Sequence, residues 1–256
     1  MIIRIVIYIF LVFFFSYKVF SRGIGETEIT TEDGIEVFQN EKYYVLKKNV
    51  KIISDDFEIT ADNVKANFEK DLYDIHNIQT NGNSVLNAKK YGLYGEGDEI
   101  IINLKLEEIK IKGINSYINL EDVEMFSDGL VSINNLLGNF DLNGKNSNLK
   151  AEDLNIFGKK IEGIFFEIDG KKQISKLNVE DNDLLTIKTG EIVMNSKKAI
   201  YDDNTGIIEL FSNVKIVKGL EVIYGDYGFF DTNKNSYKVK SNKSSKVKVI
   251  ISNSNE

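Results

Sequence analysis

Across 256 residues the chain has one histidine, His76, and no cysteine. Zinc sites built on two or three imidazoles, thiolate metal sites, thiol nucleophiles and disulfides are thereby excluded, and a Ser-His-Asp triad would have to run through His76. His76 lies in Asp74-Ile-His-Asn-Ile78, opposite Ile75 by strand parity, which predicts a solvated strand face with no Gly-x-Ser-x-Gly elbow to serve. Gly138 to Lys145, GNFDLNGK, resembles a phosphate loop but has the wrong spacing and is followed by Asn146 where Ser or Thr would bind magnesium, so it reads as a hairpin. Asp202-Asp-Asn-Thr-Gly206 has the composition of a calcium loop without the Gly and Glu positions of an EF-hand; between two strand-like runs it reads as a turn. The carboxylate pairs Asp55-Asp56 and Glu107-Glu108 are sequence neighbours, and neighbours on a strand face opposite ways and do not flank one bond. No catalytic residue, metal ligand or cofactor is expected.

What must position any other function is a core, and at 42% hydrophobic and 28% charged residues the chain has material for one. A net charge of −7 with no lysine or arginine stripe argues against a nucleic-acid partner. Proline is absent, so turns fall to Gly, Asn and Asp. Beyond residue 24 the dominant period is two: Val50, Ile52; Phe57, Ile59, Ala61; Val64, Ala66, Phe68; Ile100, Ile102, Leu104, Leu106; Ile109, Ile111; Val247, Val249, Ile251. Turn clusters interrupt these runs and no helical period is sustained, which implies an antiparallel all-β sandwich, barrel or solenoid.

The first residues differ from the rest. Ile5 to Phe15 is an apolar run of 11 residues behind Arg4, suited to a signal-peptide core and short of the roughly 20 residues that span a bilayer. Residues 1–21 are read either as a signal peptide cleaved after Val19-Phe20-Ser21 or as an uncleaved anchor with Arg4 and Lys18 at the two interfaces. Either way the remainder, 22–256, is exported.

An internal repeat follows. Asn49-Val-Lys-Ile-Ile53 returns as Asn213-Val-Lys-Ile-Val217, and Phe57-Glu-Ile-Thr-Ala-Asp62 is matched to Leu220-Glu-Val-Ile-Tyr-Gly-Asp226 across a turn one residue shorter. In each copy the alternation changes phase at the small-residue-Asp pair, from Phe57, Ile59, Ala61 to Val64, Ala66, Phe68 and from Leu220, Val222 to Tyr227, Phe229, as a β-bulge would require. Gly97-Asp98 and Ala151-Glu152-Asp153 are similar cores, so the unit recurs irregularly along an elongated stack.

These runs, with Ile78-Gln-Thr-Asn-Gly82-Asn-Ser-Val85, Ala199-Ile-Tyr-Asp202, Gly206-Ile-Ile-Glu-Leu210 and Tyr237-Lys-Val-Lys240, resemble the OstA-like domain shared by the LptA and LptC components of bacterial lipopolysaccharide transport. The matched stretches are roughly residues 34–113 and 190–241, while 115–189 departs from the pattern, leaving open one unit or two repeats at about 28–115 and 116–251. The resemblance implies a periplasmic, non-enzymatic β-jellyroll of two V-shaped antiparallel sheets with open ends, whose apolar interior holds the acyl chains of lipopolysaccharide. Residues implied for that groove are Ile52, Ile59, Val64, Phe68, Ile75, Ile78, Ile102, Leu104, Ile216, Val222 and Phe229; without the resemblance the same residues read as ordinary core. The implied partners are homologous jellyroll components of the inner- and outer-membrane complexes, or further copies of the chain head to tail. Ile35, Val37, Val247, Val249 and Ile251 are the expected docking positions on edge strands. Alternatives are a membrane-anchored LptC-like docking subunit and an adhesive β-solenoid that binds protein or glycan along its face.

Overall fold

The computed structural model describes residues 23–72, 74–168, 171–242 and 246–252; the segment read as signal or anchor lies outside them. In chain order the strands are β1 (Glu28–Thr30), β2 (Ile35–Phe38), β3 (Tyr43–Ile53), β4 (Glu58–Phe68), β5 (Ile75–Asn81), β6 (Ser84–Ala88), β7 (Leu93–Gly97), β8 (Glu99–Asn103), β9 (Glu108–Lys112), β10 (Ser116–Leu120), β11 (Val123–Ser127), β12 (Leu130–Asn134), β13 (Asn139–Ala151), β14 (Leu154–Ile168), β15 (Lys171–Thr189), β16 (Ile192–Asp202), β17 (Ile207–Lys218), β18 (Glu221–Asp231), β19 (Ser236–Lys240) and β20 (Lys248–Ile251). The sole helical piece among the described residues is a 3-10 turn at Lys89–Tyr91.

Every pairing is antiparallel, and the pairings sort into two layers. The first layer runs β2, the start of β3, the end of β4, β5, β8, β9, β12, the start of β13, the end of β14, and on through alternating halves of β15 to β18 to β19. The second runs β1, the end of β3, the start of β4, β6, β7, β10, β11, the end of β13, the start of β14, and through the complementary halves to β20. The ladder is unbroken across residues 115 and 116, with β7 on β10 in one layer and β9 on β12 in the other.

Long strands cross from layer to layer through a bulge, and the bulge is why the sequence changes phase. In β4 the buried residues are Ile59 and Ala61, then Val64, Ala66 and Phe68. Between Lys47 and Val50 the register to β4 shifts, with Lys48 and Asn49 both at positive φ (60° and 49°). Ser212 and Asn213 repeat this in β17 (63° and 57°). Asn tolerates the left-handed region better than most residues, which explains why both copies begin on it.

The small-residue-Asp cores at Asp62, Asp98, Asp128 and Asp226 sit on the same corner line, where the Asp accepts backbone or amide donors from the next rung; Ala151-Glu152-Asp153, expected to be a similar core, is instead the tight β13–β14 hairpin turn at the other end of the strands, with Glu152 at φ 47°. Asp62 Oδ2 takes Asn83 Nδ2 at 3.0 Å, and Asp98 Oδ2 takes the Ile114 N–H at 3.3 Å. Asp128 takes the Asn146 N–H at 2.9 Å and its Nδ2 at 2.7 Å, and Asp226 Oδ2 takes the Asn242 N–H at 2.8 Å. Hydrogen bonding from Asn146 holds the Asp128 carboxyl below the usual carboxylate range. Just inside the corner the buried residues are small hydroxyls: Thr80 Oγ1 on Ser84 Oγ at 2.6 Å, Ser116 on the Gly129 carbonyl at 3.0 Å, and Ser127 with Ser147 at 3.1 Å. Away from the corner the interior widens to Phe68, Phe140 and Phe165. A wedge narrow at the bulges and wide at the hairpins is the V-shaped jellyroll expected.

Candidate functional site

The interior is one continuous apolar cluster from Tyr44 to Phe230, filled by side chains from both layers. Ile111 of β9 illustrates the fit: methyl groups added to Gly95 and Gly97 of β7, in the facing layer, would each lie 2.5 Å from an Ile111 carbon. Burial pushes the Tyr44 hydroxyl up to about 12.

The structure places Ile52, Ile59, Val64, Phe68, Ile78, Ile102 and Ile216 inside this cluster, with Ile75 packed against it. Three positions differ from expectation. Val222 pairs with Val217 and Ile250, and Phe229 with Glu209 and Lys238, all on the outer face. Inward at those points are Ile223, paired with buried Ile216, and Gly228 and Phe230, paired with buried Leu210 and Ile208. The reason is a count. Asp226 follows Asn213 by the same 13 residues that separate Asp62 from Asn49, so Ile223 is the equivalent of Ile59, and matching Leu220 to Phe57 inverted the parity of the whole strand. Leu220 and Tyr227 are outside for the same reason, with Tyr227 Oη donating to Glu209 Oε2 at 2.6 Å. Leu104 and Leu106 belong to the turn after β8, which ends at Asn103.

His76 is also not where parity put it. It is the bulged residue between Asn77, paired with Asn67, and Ile75, paired with Phe68; it is half-buried and its Nδ1 has no hydrogen-bond partner. Gly138 ends the β12–β13 turn at φ 64°, and the rest of Gly138 to Lys145 is strand β13. Asp202 to Gly206 is the β16–β17 turn, closed by Gly206 N–H to the Asp202 carbonyl at 2.9 Å.

The cluster reaches the surface in two ways. Between the hairpin rows of the two layers, opposite the corners, lies a mouth of about 110 Å³. Tyr91, Leu93 and Leu120 come from the second layer, Ile102, Leu104, Ile109 and Ile133 from the first, with Glu107, Asn135 and Lys172 on the rim. Leu104, Leu106, Leu136 and Leu137 expose 43%, 50%, 64% and 68% of their surface in the adjoining turns, enough to make this rim apolar. A polar strap spans it: the Lys172 N–H donates to Glu121 Oε2 at 2.9 Å across the layers, and Lys172 Nζ to Asn135 Oδ1 at 2.7 Å.

The second way is at the ends. Among the described residues β1 and β2 pair only with β3, and β19 and β20 only with β18, so within that part of the chain both ends present free edges. Ile29, Ile35 and Val37 face inward opposite Ile52, Leu46 and Tyr44 yet remain exposed, because no strand covers them. Val249 and Ile251 do the same at the other end. This end carries two strands, β19 and β20, one in each layer, and of the expected docking positions Val247 precedes β20 without belonging to it. No helix among the described residues is long and apolar enough to cross a membrane, and none of their His, Asp and Glu side chains cluster in a way that would hold a metal ion.

No family model matches the chain, and no curated protein does. Among solved structures it is similar to LptH, the LptA homologous periplasmic component of the lipopolysaccharide transport device from Pseudomonas aeruginosa. That match has 7% identity and a TM-score of 0.23, over 90% of this chain and 96% of the other. A likeness of that size carries no argument on its own, and the fold stands on the strand pairing.

Proposed function

We propose that the chain is a non-enzymatic periplasmic carrier that shields the acyl chains of lipopolysaccharide between its two layers and docks end to end with similar jellyrolls or with itself. The observation that supports this is the exposed apolar inner face at both ends and at the mouth, continuous with the buried cluster. An acyl chain gains about 0.8 kcal/mol per methylene taken from water, so a run of exposed inner-face residues has a strong preference for such a ligand over water. Two ends that are free among the described residues, each with an edge strand in both layers, suit a link in a chain better than a terminal docking subunit.

Photo-crosslinking residues at Ile59, Leu104 and Ile35 are expected to capture lipopolysaccharide in cells, and the same residue at Val222 or Phe229 on the outer face is not. Adducts at the outer positions with none at the inner ones would overturn the reading.

A further inference from the structure

The hairpin turns on the mouth side are built from two different sets of residues. In the second layer Glu121-Asp122, Glu152-Asp153 and Gly190-Glu191 are polar, with Tyr91 and Leu220 as isolated exposed exceptions in that row. In the first layer the four successive turns β4–β5, β8–β9, β12–β13 and β14–β15 carry exposed aliphatic side chains: Leu72, then Leu104 and Leu106, then Leu136 and Leu137, then Ile168 at the end of β14. The next turn of that row, Asp202 to Gly206, is polar again. A single exposed leucine needs no explanation, whereas a file of six aliphatic residues on neighbouring turns does.

Backbone hydrogen bonds set these turns side by side. The Leu104 N–H donates to the His76 carbonyl at 3.0 Å, the Asn135 N–H to the Glu107 carbonyl at 2.9 Å and the Phe165 N–H to the Gly138 carbonyl at 2.7 Å. Successive turns are two strands apart, so the file runs about 30 Å at roughly 4.8 Å per strand. Polar side chains of the same turns bond to one another: Lys105 pairs with Glu69, Asn135 Nδ2 donates to Glu107 Oε2 at 2.5 Å, and Lys172 Nζ donates to Asn135 Oδ1 at 2.7 Å. Asn103 Oδ1 accepts the N–H groups of Lys105 at 3.1 Å and Leu106 at 3.0 Å, and Asn134 Oδ1 accepts that of Leu137 at 2.8 Å, which fixes two of the turns. A satisfied polar frame thus holds the leucines out in water, where they contribute little to folding.

The shape of the file selects its partner. A standard protein interface takes roughly 800 Å² of well-fitted surface from each side, and a line of separate convex tips, each one or two residues wide, presents no such plane. A fluid lipid surface closes around each tip without needing one. The flanking charges are of both signs, Lys70, Lys105 and Lys171 with Glu69, Asp71 and Glu107, as suits zwitterionic headgroups and not a purely anionic surface. The file also borders the mouth, whose first-layer wall includes Leu104, Ile109 and Ile133.

We propose that this edge of the first layer docks on a phospholipid bilayer, with the aliphatic turn tips inserted about 5–10 Å into the boundary between headgroups and acyl chains. An acyl chain passing from that surface into the mouth crosses no water, but the docking edge does not depend on acyl binding.

The test uses the full chain, which has no cysteine, so each single-cysteine variant carries one label. An environment-sensitive nitrobenzoxadiazole dye is placed at Leu106→Cys, Leu137→Cys, Asn204→Cys or Glu152→Cys, the last two being exposed positions in polar turns. With vesicles of phosphatidylcholine and phosphatidylethanolamine, the labels at 106 and 137 should brighten and be quenched by nitroxide-bearing phospholipid, while those at 204 and 152 stay aqueous. Leu136→Asp with Leu137→Asp should weaken the response of the label at 106 roughly tenfold without lowering the melting temperature, since both side chains are exposed. Aqueous labels at 106 and 137, equal responses from all four labels, or a response that needs no vesicles and grows with protein concentration, as a second copy on this edge would give, would each overturn the proposal. Lipid capture at Ile59 with all four labels aqueous refutes the docking edge alone, and docking without capture at Ile59 refutes only the acyl reading.

Discussion

Gly163 and Phe140 form a pair whose coupling measures how tightly the interior is filled. They are cross-strand partners in β14 and β13, both inward, and a methyl group added to Gly163 would lie 2.2 Å from Phe140 Cζ and 3.0 Å from Leu177 Cδ2. Phe140 has little freedom to give way, because its ring centroid is 4.5 Å from that of Phe165. Gly163→Ala gains about 0.5–1 kcal/mol by removing glycine's backbone freedom and loses about 1–3 kcal/mol to overpacking, so the net change is expected to be destabilising. Phe140→Leu alone leaves a cavity and costs roughly 1–3 kcal/mol. In the double variant the new methyl occupies space the ring has left. Its total cost should therefore fall below the sum of the two by about 1 kcal/mol or more, where independent sites add within about 0.3–0.5 kcal/mol. Urea denaturation of the four proteins gives the cycle directly. Additivity within error would mean that the ring does not cover Gly163 and that the interior at this level is looser than the packing indicates.

Replacing Asp128 by Asn should lower stability by about 0.5–1.5 kcal/mol at neutral pH, because Asn146 loses a charged acceptor. Since the folded carboxyl titrates lower than the unfolded one, that advantage is full above the unfolded value near pH ~4 and fades as pH falls through the folded value; a gap between parent and variant that grows in acid would refute the pinning role. Ser127→Ala and Ser147→Ala each leave one buried hydroxyl without its mate and should cost about 1–2 kcal/mol, with the double variant costing less than their sum by thermal melting. Leu104→Ser and Leu106→Ser should leave stability within about 0.5 kcal/mol, both being exposed, while reducing lipid capture at the mouth; unchanged capture would separate the mouth from any lipid role. Truncation before Lys246 removes β20 and one free edge, and should leave a β-rich protein by circular dichroism that no longer associates end to end.

The β class and the bulges were legible because a period of two and its phase change are written in side-chain polarity, as at Ile59-Ala61 and Val64-Ala66. The corner role of Asp was visible only as a recurrent small-residue-Asp pair, since its partner lies on the next rung and not in the local sequence. Val222 and Phe229 were misplaced because Val222, Ile223 and Tyr224 are apolar on both parities, and a strand without alternation takes its face from its neighbour's register.

Among the described residues every chain crossing between the layers lies on the corner side: the bulges of β3, β4 and β13 to β18, and the short links from β1 to β2, β5 to β6, β7 to β8, β9 to β10 and β11 to β12. The hairpins on the mouth side each stay within one layer. The two covers of this sandwich are bound along one spine. They can part at the fore-edge by changing angle at the corners, with each layer's backbone ladder intact and only side-chain contacts and the strap from Lys172 to Glu121 given up. The filled interior and the lipid-holding one proposed above would then differ only in that angle, and the work of separating the covers would be the work of wetting apolar side chains, which an incoming acyl chain would cancel.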